Sequence, residues 1–246
     1  MARYDYRSPR LYVAAPLAPG TALTLEKPQA HYLRNVLRLK AGDPILVFNG
    51  KDGEWRATLS EAERKGREIL VQERTRAQTT PLDLHYLFAP LKHERLDYMV
   101  QKAVELGASR LVPVITRHVQ VTRVNLERMR ANAIEAAEQC GILNVPEVAA
   151  PERLETLLNN WEERRALVFC DEAAEVTSPL AALNRLEGRP LAVLVGPEGG
   201  FDASEQAALR SKPFAVPISL GPRIMRADTA AVAALALVNA AIGDWR

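Results

Sequence analysis

The apolar positions follow two different patterns along the chain. Up to residue 75 the apolar runs are short, and turn sequences such as Ala41-Gly42-Asp43 and Asn49-Gly50 separate them. Only the stretch from about Pro28 to Leu39 has helical spacing there. Short strands, tight turns and one helix predict a small β-barrel. The predicted strands are Arg10–Ala14, Pro44–Phe48, Trp55–Leu59 and Ile69–Gln72.

After Pro81 apolar runs alternate with helical periodicity. The predicted strands are Leu82–Leu91, Leu111–Ile115, Ala166–Cys170, Leu191–Val195 and Phe214–Ser219. The predicted helices are Glu94–Leu106, Leu126–Cys140, Pro151–Trp161, Ala203–Arg210 and Arg226–Ile242. Because the strands are continuously apolar and alternate with helices, we expect a mainly parallel sheet covered on both faces. The predicted class is α/β, with a small β-barrel domain at 1–75, a linker at Glu73–Pro81 and a larger domain at 76–246.

The last predicted helix is unusual because Thr229–Ile242 is apolar nearly all round. Such a helix is buried on most sides. Its place at the end of the chain favours a contact between subunits over a fully enclosed core helix.

Composition narrows the classes of protein. The 246 residues include 32 Lys+Arg and 30 Asp+Glu, with 48% apolar residues, which excludes a disordered chain. The longest uncharged run, Thr229–Gly243, is too short to cross a bilayer. The first residues lack the apolar stretch of a secretory signal. Two cysteines and four scattered histidines form neither a disulfide framework nor a metal cluster. We expect a cytoplasmic protein without metal.

The charge is uneven. Residues 1–75 are basic on balance and residues 76–246 slightly acidic, which is compatible with a polyanionic partner or with chance.

Two glycine-containing segments follow predicted strands. The first is Gly196-Pro197-Glu198-Gly199-Gly200, after which Asp202 and Glu205 have the spacing of a capping box. It lacks the Gly-Lys-Ser/Thr of a phosphate-binding loop. The segment is either a ligand loop with exposed backbone N–H groups or a tight turn.

The second segment, Leu220–Ala230, also follows a strand and enters a helix. Two such loops at neighbouring strand ends would form one crevice, where ligands bind in open α/β sheets. Ile224 and Met225 either clamp a flat ring or fill the core. Arg226 and Asp228 are either catalytic or a cap and surface ion pair.

These segments resemble the cofactor-binding motifs of the SPOUT superfamily of knotted methyltransferases. Nearly the whole chain is similar to the 16S rRNA uracil-N3 methyltransferase family. Further matching motifs are His31–Arg38 with Gly42-Asp43, Gln101–Gly107, and Glu135–Gly141 with Val145-Pro146. Two positions depart from the family pattern, since Ile142 stands where Arg is expected and Asp228 where Glu is expected.

The resemblance implies a fold, a reaction and partners. The fold is a PUA-like RNA-binding barrel at 1–75 followed by a SPOUT domain with a deep trefoil knot at 76–246. The reaction is transfer of the methyl group of S-adenosylmethionine (SAM) to N3 of the uridine at position 1498 of 16S rRNA. The partners are the small ribosomal subunit and a second copy of the chain, with the cofactor site at the homodimer interface.

Roles for single residues follow in three groups. By resemblance the cofactor contacts are Leu194, Val195, Gly196, Pro197, Glu198, Gly199, Gly200, Leu220, Gly221, Ile224, Met225, Arg226 and Thr229, with Gly199 expected to permit close approach. For catalysis we expect Arg226 to stabilise charge on the uracil oxygens, with Glu198 or Asp228 as the base. The expected RNA contacts are Arg10, His31, Arg34, Arg38, Lys40, Lys92 and Arg117, with Arg34 and Arg38 on one helix face.

Three other functions remain open at this level. The chain is a SPOUT enzyme for another rRNA or tRNA base, or an RNA-binding assembly factor without catalysis. The third, a nucleotide hydrolase, is disfavoured because the phosphate-binding loop sequence is missing.

Overall fold

The computed structural model describes residue 5 and residues 7–60, 67–174 and 178–245. These residues form two compact units. The first unit comprises Met1–Thr80 together with Ala137–Val145, and the second comprises Pro81–Ala136 and Pro146–Arg246. The sequence placed a boundary at residue 75 and contained no sign that residues 137–145 belong with the first unit.

The first unit contains one five-stranded sheet. Its strands are β1 (Arg10–Tyr12), β2 (Ala22–Thr24), β3 (Pro44–Phe48), β4 (Glu54–Leu59) and β5 (Glu68–Arg76). They pair in the order β1-β3-β4-β5-β2, parallel between β1 and β3 and antiparallel elsewhere. The predicted linker is partly wrong, since β5 continues to Arg76 and pairs there with Glu54.

The core of this unit lies against the inward-facing positions of the sheet. Leu33, Ile45, Val47, Ala57 and Ile69 have no exposed surface. Residues 137–145 join the unit through hydrogen bonds from the Tyr12 backbone N–H to Glu138 Oε1 (2.8 Å) and from Arg76 Nη2 to the Gly141 carbonyl (2.9 Å).

The predicted helix at 28–39 is shorter than expected. Helix α1 (Lys27–His31) continues as a single π-helical turn, Tyr32–Val36. Arg38 then takes a φ of +58°, in the left-handed region. A residue in that conformation cannot extend a right-handed helix, so the expected shared helix face of Arg34 and Arg38 is wrong.

The second unit has a seven-stranded sheet in which all pairs are parallel. Its strands are β6 (Leu84–Phe88), β7 (Arg110–Ile115), β8 (Glu147–Val148), β9 (Glu152–Arg153), β10 (Ala166–Cys170), β11 (Leu191–Val195) and β12 (Ala215–Ile218). Its helices are α2 (His93–Glu105), α3 (Leu126–Cys140), α4 (Leu154–Asn159), α5 (Pro179–Asn184), α6 (Ala203–Arg210) and α7 (Ala227–Ile242), and the last turn of α3 belongs to the first unit. The predicted α/β class with a mainly parallel sheet is confirmed.

Strand order decides where the site forms. The order is β12-β10-β11-β6-β7-β8, and β9 pairs with β7. The expectation that the strands before the two glycine-containing segments are neighbours is wrong, because β10 lies between β11 and β12. Three loops therefore meet at the carboxyl edge of the sheet, and the loop after β10 is the middle one.

Candidate active site

A cavity of about 490 Å³ lies at this edge, between the loops that follow β10, β11 and β12. Its volume is in the range of small-molecule and cofactor sites. The predicted cofactor contacts that line it are Val195, Gly196, Pro197, Glu198, Gly199, Gly200, Leu220, Gly221, Ile224 and Met225. Leu194 is instead buried in the core beneath, and Arg226 and Thr229 line a neighbouring hollow with Tyr98.

The turn after β11 leads directly into α6. Asp202 is the N-cap of α6, and its Oδ1 accepts the Ser204 N–H at 2.8 Å while Glu205 Oε2 accepts the Asp202 N–H at 2.9 Å. This confirms the predicted capping box.

The glycine with the strictest requirement in this turn is Gly200. Its φ is +69°, and a Cβ there would lie 2.5 Å from Glu172 Oε1. A Cβ on Gly199 would lie 3.5 Å from the Cβ of His118, an ordinary contact. Close approach of the cofactor to Gly199 stays a prediction, because the 3.5 Å contact concerns protein atoms only. Gly200 supplies a backbone conformation that other residues rarely adopt.

The loop after β10 provides the floor of the cavity, which the sequence analysis missed. Asp171 is 4% exposed, and its Oδ2 accepts hydrogen bonds from Arg210 Nε (2.8 Å) and Nη2 (2.6 Å). Burial raises the pKa of the neighbouring Cys170 thiol to about 12, so this thiol is protonated at neutral pH. In the sequence, the acidic pair Asp171-Glu172 directly after an apolar strand could have indicated that this loop lines the site.

The apolar residues of the loop after β12 face outward. Ile224 is fully exposed while lining the cavity, and Met225 is partly buried. Ile224 therefore does not fill the core, and its role as a clamp on a flat ring stays a prediction.

The cavity suits SAM by its chemistry as well as its volume. Within the described ranges, the backbone N–H groups of Glu198, Gly199 and Leu220 make no hydrogen bond and remain for ring nitrogens, hydroxyls or a carboxylate. Apolar walls from Val195, Ile224 and Met225 complement a purine ring and an aliphatic chain.

Both candidate bases bind one arginine, and the sequence analysis missed it. Arg95 donates from Nε to Asp228 Oδ2 (2.9 Å) and from Nη2 to Asp228 Oδ1 (3.0 Å), and Nη1 donates to Glu198 Oε1. The Arg95 hydrogen bonds lower the pKa of Asp228, and those carboxylates raise the pKa of Arg95. Asp228 is therefore held as an anion, which makes it a weak base at neutral pH.

Arg226 and Asp228 start the last helix. Arg226 is the N-cap residue of α7 and is exposed, and its guanidinium has no partner among the residues described. Asp228 Oδ1 also accepts the Thr229 N–H at 2.9 Å. Asp228 is thus fixed by α2 and its own helix, whereas Arg226 is free to meet a ligand.

A second, smaller cavity of about 150 Å³ adjoins the first. The two share Pro197, Glu198 and Gly199 as a wall. The rest of the lining includes Lys92 at the end of the loop after β6, Arg95 in the first turn of α2, and His118 after β7. His118 Nδ1 lies 3.2 Å from the Gly199 carbonyl and 3.1 Å from the Gly200 carbonyl, so it donates to both oxygens.

Two models of known protein families match this chain. Residues 78–239 match the model of an RNA methyltransferase domain, and residues 25–71 match that of an RNA methyltransferase PUA domain. A relative from Rickettsia conorii, ribosomal RNA small subunit methyltransferase E, is 32% identical over 94% of each chain. This chain belongs to the ribosomal RNA small subunit methyltransferase E family.

Other members agree in sequence and structure. The Synechocystis member is 33% identical, covering 94% of this chain and 77% of its own. The structure of the Neisseria gonorrhoeae member, solved bound to S-adenosyl methionine, superposes with a TM-score of 0.87 at 27% identity, over 98% of this chain and all of the other.

One residue that was expected to contact RNA, Arg10, has a buried side chain. The Arg10 side chain is only 6% exposed and donates from Nε to Glu54 Oε2 at 2.9 Å. A side chain buried against a carboxylate is unavailable to a phosphate, so the expectation for Arg10 is corrected to a structural role.

The other expected RNA contacts lie at the surface to different degrees. His31, Arg38, Lys40, Lys92 and Arg117 are exposed, and Arg34 is partly buried. His31, Arg34, Arg38 and Lys40 fall within the matched PUA region. The Arg117 backbone N–H donates to Glu205 Oε1 at 2.8 Å, which holds the loop after β7 while its side chain stays two-thirds exposed.

The described ranges lack both a candidate metal site and a candidate membrane-spanning helix. They contain no cluster of three His, Cys, Asp or Glu side chains suited to a metal ion. They also contain no helix of the length and hydropathy that crossing a membrane requires.

Proposed function

We propose that this chain transfers the methyl group of SAM to N3 of one uridine of 16S rRNA, at position 1498, in the small ribosomal subunit. The observation that carries the proposal is the 490 Å³ cavity built by three strand-end loops, in a chain whose Neisseria relative was solved with this cofactor bound.

The cofactor is held by the loops at Gly196–Gly200 and Leu220–Met225. Open backbone N–H groups bind its polar atoms, and Ile224 and Met225 cover its flat ring. Glu172, which follows β10, adds acceptors for hydroxyl groups. When bound, SAM supplies an electrophilic methyl group on a sulfonium.

The protein must remove a proton and offset a charge. Uracil N3 carries a hydrogen, and a carboxylate of Glu198 or Asp228 accepts it as the N3 electron pair forms the new bond to carbon. The carbon–sulfur bond breaks with its electrons on sulfur, which leaves a neutral thioether, N3-methyluridine and one proton released to water. Arg226 stabilises the negative charge that develops on the ring oxygens.

RNA binding is assigned to the basic residues that remain exposed. His31, Arg34, Arg38 and Lys40 act from the first unit as an RNA-binding domain, and Lys92 and Arg117 act from the second unit as the methyltransferase domain. Phosphate contacts of this kind weaken with salt, with a slope of roughly −0.7 per phosphate for a single strand.

A homodimer is part of the proposal. Val232, Ala233 and Ala236 on α7 are apolar and partly exposed in a single chain, which supports pairing of this face with a second copy. A ribosomal substrate also implies that the enzyme works in the cytoplasm.

The test uses small ribosomal subunits from a strain that lacks this gene. Methyl transfer from labelled SAM, followed by mass mapping, is expected to place one methyl group at N3 of a single uridine. Incorporation at another base would contradict the assigned target. Cofactor binding without incorporation would contradict catalysis on this substrate.

A further inference from the structure

The smaller cavity lies outside the cofactor loops that the sequence identified. A cavity of about 150 Å³ is too small for a nucleoside cofactor, but a void of that size accommodates a six-membered ring. It shares the Glu198-Gly199 wall with the larger cavity. A flat ring bound here therefore lies directly beside a ligand in the cofactor cavity.

The polar groups of this cavity complement one edge of uracil. That edge presents a carbonyl oxygen, the N3–H and a second carbonyl oxygen, so its partner needs an acceptor between two donors. Glu198 is an acceptor, Arg95 is a donor that already contacts it, and Lys92 is a second donor in the same lining. Cytosine has an amino group and an unprotonated N3 on the same edge, which would face a cation and a carboxylate.

Arg95 retains the capacity to bind the ring while it holds the carboxylates. A guanidinium has five N–H groups, and three of those on Arg95 are engaged by Asp228 and Glu198. Two N–H groups remain for a ring oxygen. Asp228, with its side chain 17% exposed, anchors the guanidinium from the side of α7.

Lys92 can stabilise a uracil that has lost its proton, because no carboxylate among the described residues pairs with it, whereas Arg95 is balanced by Glu198 and Asp228. Lys92 and Arg95 are cationic, and Lys92 is the N-cap residue of α2. The amino end of a helix carries a partial positive charge, which adds to the effect of both side chains. Groups that stabilise charge as it develops lower the barrier most when they are fixed in advance.

We propose that the cavity formed by Lys92, Arg95, His118 and Glu198 binds the target uracil, that Glu198 accepts its N3 proton, and that Arg95 orients Glu198 and stabilises the ring oxygen. The inference rests on the proposed function and makes Arg95 a catalytic residue beside Arg226. The proton passes from N3 to a Glu198 oxygen, the N3 electron pair forms the bond to the methyl carbon, and protonated Glu198 then releases its proton to water.

The experiment compares Arg95→Gln and Glu198→Gln with Arg128→Gln. Arg128 makes a two-pronged ion pair with Asp97, which lies on α2 as Arg95 does, but Arg128 does not line the cavity. Single-turnover methyl transfer to small subunits is expected to slow by about 10²–10³-fold in the first two variants, as for loss of other fixed charge-stabilising groups. SAM affinity, measured by calorimetry, is expected to stay at the wild-type level in Arg95→Gln and Arg128→Gln, neither of which changes a residue that lines the cofactor cavity.

A second substrate distinguishes a role of Arg95 and Glu198 in proton removal from a merely structural role. Small subunits reconstituted with rRNA that carries 5-fluorouridine have a more acidic N3–H, because fluorine withdraws electrons. The deficits of Arg95→Gln and Glu198→Gln are expected to shrink at least tenfold on this RNA. Equal deficits on both RNAs, or wild-type rates in both variants, would overturn the inference.

Failure of the proposed function is visible separately. If the wild-type protein itself does not form N3-methyluridine, the proposed function is wrong. If it does and the two variants behave like Arg128→Gln, the reaction stands and only the base pocket is wrong.

Discussion

Arginine and carboxylate side chains form a three-membered cluster in each unit, with opposite stoichiometry. In the first unit one carboxylate, Glu54, accepts hydrogen bonds from Arg10 Nε (2.9 Å) and Arg76 Nη2 (2.6 Å). In the second unit one guanidinium, that of Arg95, holds two carboxylates. The side chain of Glu54 is 3% exposed, whereas that of Glu198 is 47% exposed.

This difference in exposure indicates that the Glu54 cluster stabilises the fold, whereas the Arg95 cluster can contact a substrate. Glu54 has both carboxylate oxygens directed at partners inside the unit, including the Thr75 hydroxyl at 2.9 Å, so no ligand reaches it. The Arg95 cluster borders two cavities and keeps N–H groups and carboxylate oxygens unused. Burial, rather than the types of residue, decides which ion pairs can act on a substrate.

The largest expected effect comes from breaking the buried cluster. Glu54→Gln removes the buried carboxylate that both Arg10 and Arg76 contact, and loss of one member of a buried ion pair typically costs about 3–5 kcal/mol of stability. Chemical denaturation is expected to show this loss in the first unit's transition, with SAM affinity retained. A free energy of unfolding equal to that of the wild type would remove the structural role assigned to Glu54.

The second-largest effect is expected from replacing Arg226, an exposed residue of the second unit. Arg226→Ala is expected to lower kcat by about 10²–10³-fold with little change in stability, because Arg226 has no partner to lose among the described residues. Steady-state kinetics and calorimetry with SAM check this, with Arg130→Ala, an exposed arginine of α3, as the control. Collapse of cofactor binding instead of kcat would show that Arg226 holds the cofactor.

A smaller effect is expected from pH. Burial opposes ionisation of Glu54, but the hydrogen bonds of Arg76, Thr75 and Arg10 outweigh it, so its pKa lies below the usual 4.5. The stability from this group is therefore present above pH 4.5 and is lost as the pH falls through the lower folded-state pKa. Unfolding free energies of wild type and Glu54→Gln are expected to converge below that pKa, and a constant difference down to strongly acidic pH would contradict the linkage.

The smallest effect is expected for an ion pair that is neither buried nor at a cavity. Arg128→Gln removes the exposed pair with Asp97, and such pairs contribute little because solvent screens them. Its melting temperature and transfer rate are expected to match those of the wild type. A marked drop in transfer rate alone would extend the functional surface along α3.

Local patterns predicted much of the fold. The strands at Pro44–Phe48, Ala166–Cys170 and Leu191–Val195 were predicted with the bounds they have, because each is a continuous apolar run. The capping box at Asp202 was predicted because its partners are three residues apart. The early end of the helix predicted at Pro28–Leu39 was not predicted, because the left-handed φ of Arg38 is rare for its residue type.

The candidate site was predicted only in part, because some of its residues are far apart in the chain. The loops at Gly196–Gly200 and Leu220–Met225 carry recognisable local sequences and do line the cavity. Arg95 and Asp228 are separated by 133 positions, so no spacing rule connects them. Arg10 looked like any other surface cation until the fold placed it against Glu54.

By itself the sequence determined which segments are strands and helices, which turns end in glycine, and which family motifs the chain carries, because these depend on residues close together in the chain. Tertiary structure decided that β10 lies between β11 and β12, that Asp171 and Glu172 join the cofactor cavity, and that Arg95 holds Glu198 and Asp228 beside a second cavity. It also decided which arginines are buried. The physical reason is that ionisation, exposure and reach of a charged group depend on neighbours brought together by strand order, and the chain does not record that order locally.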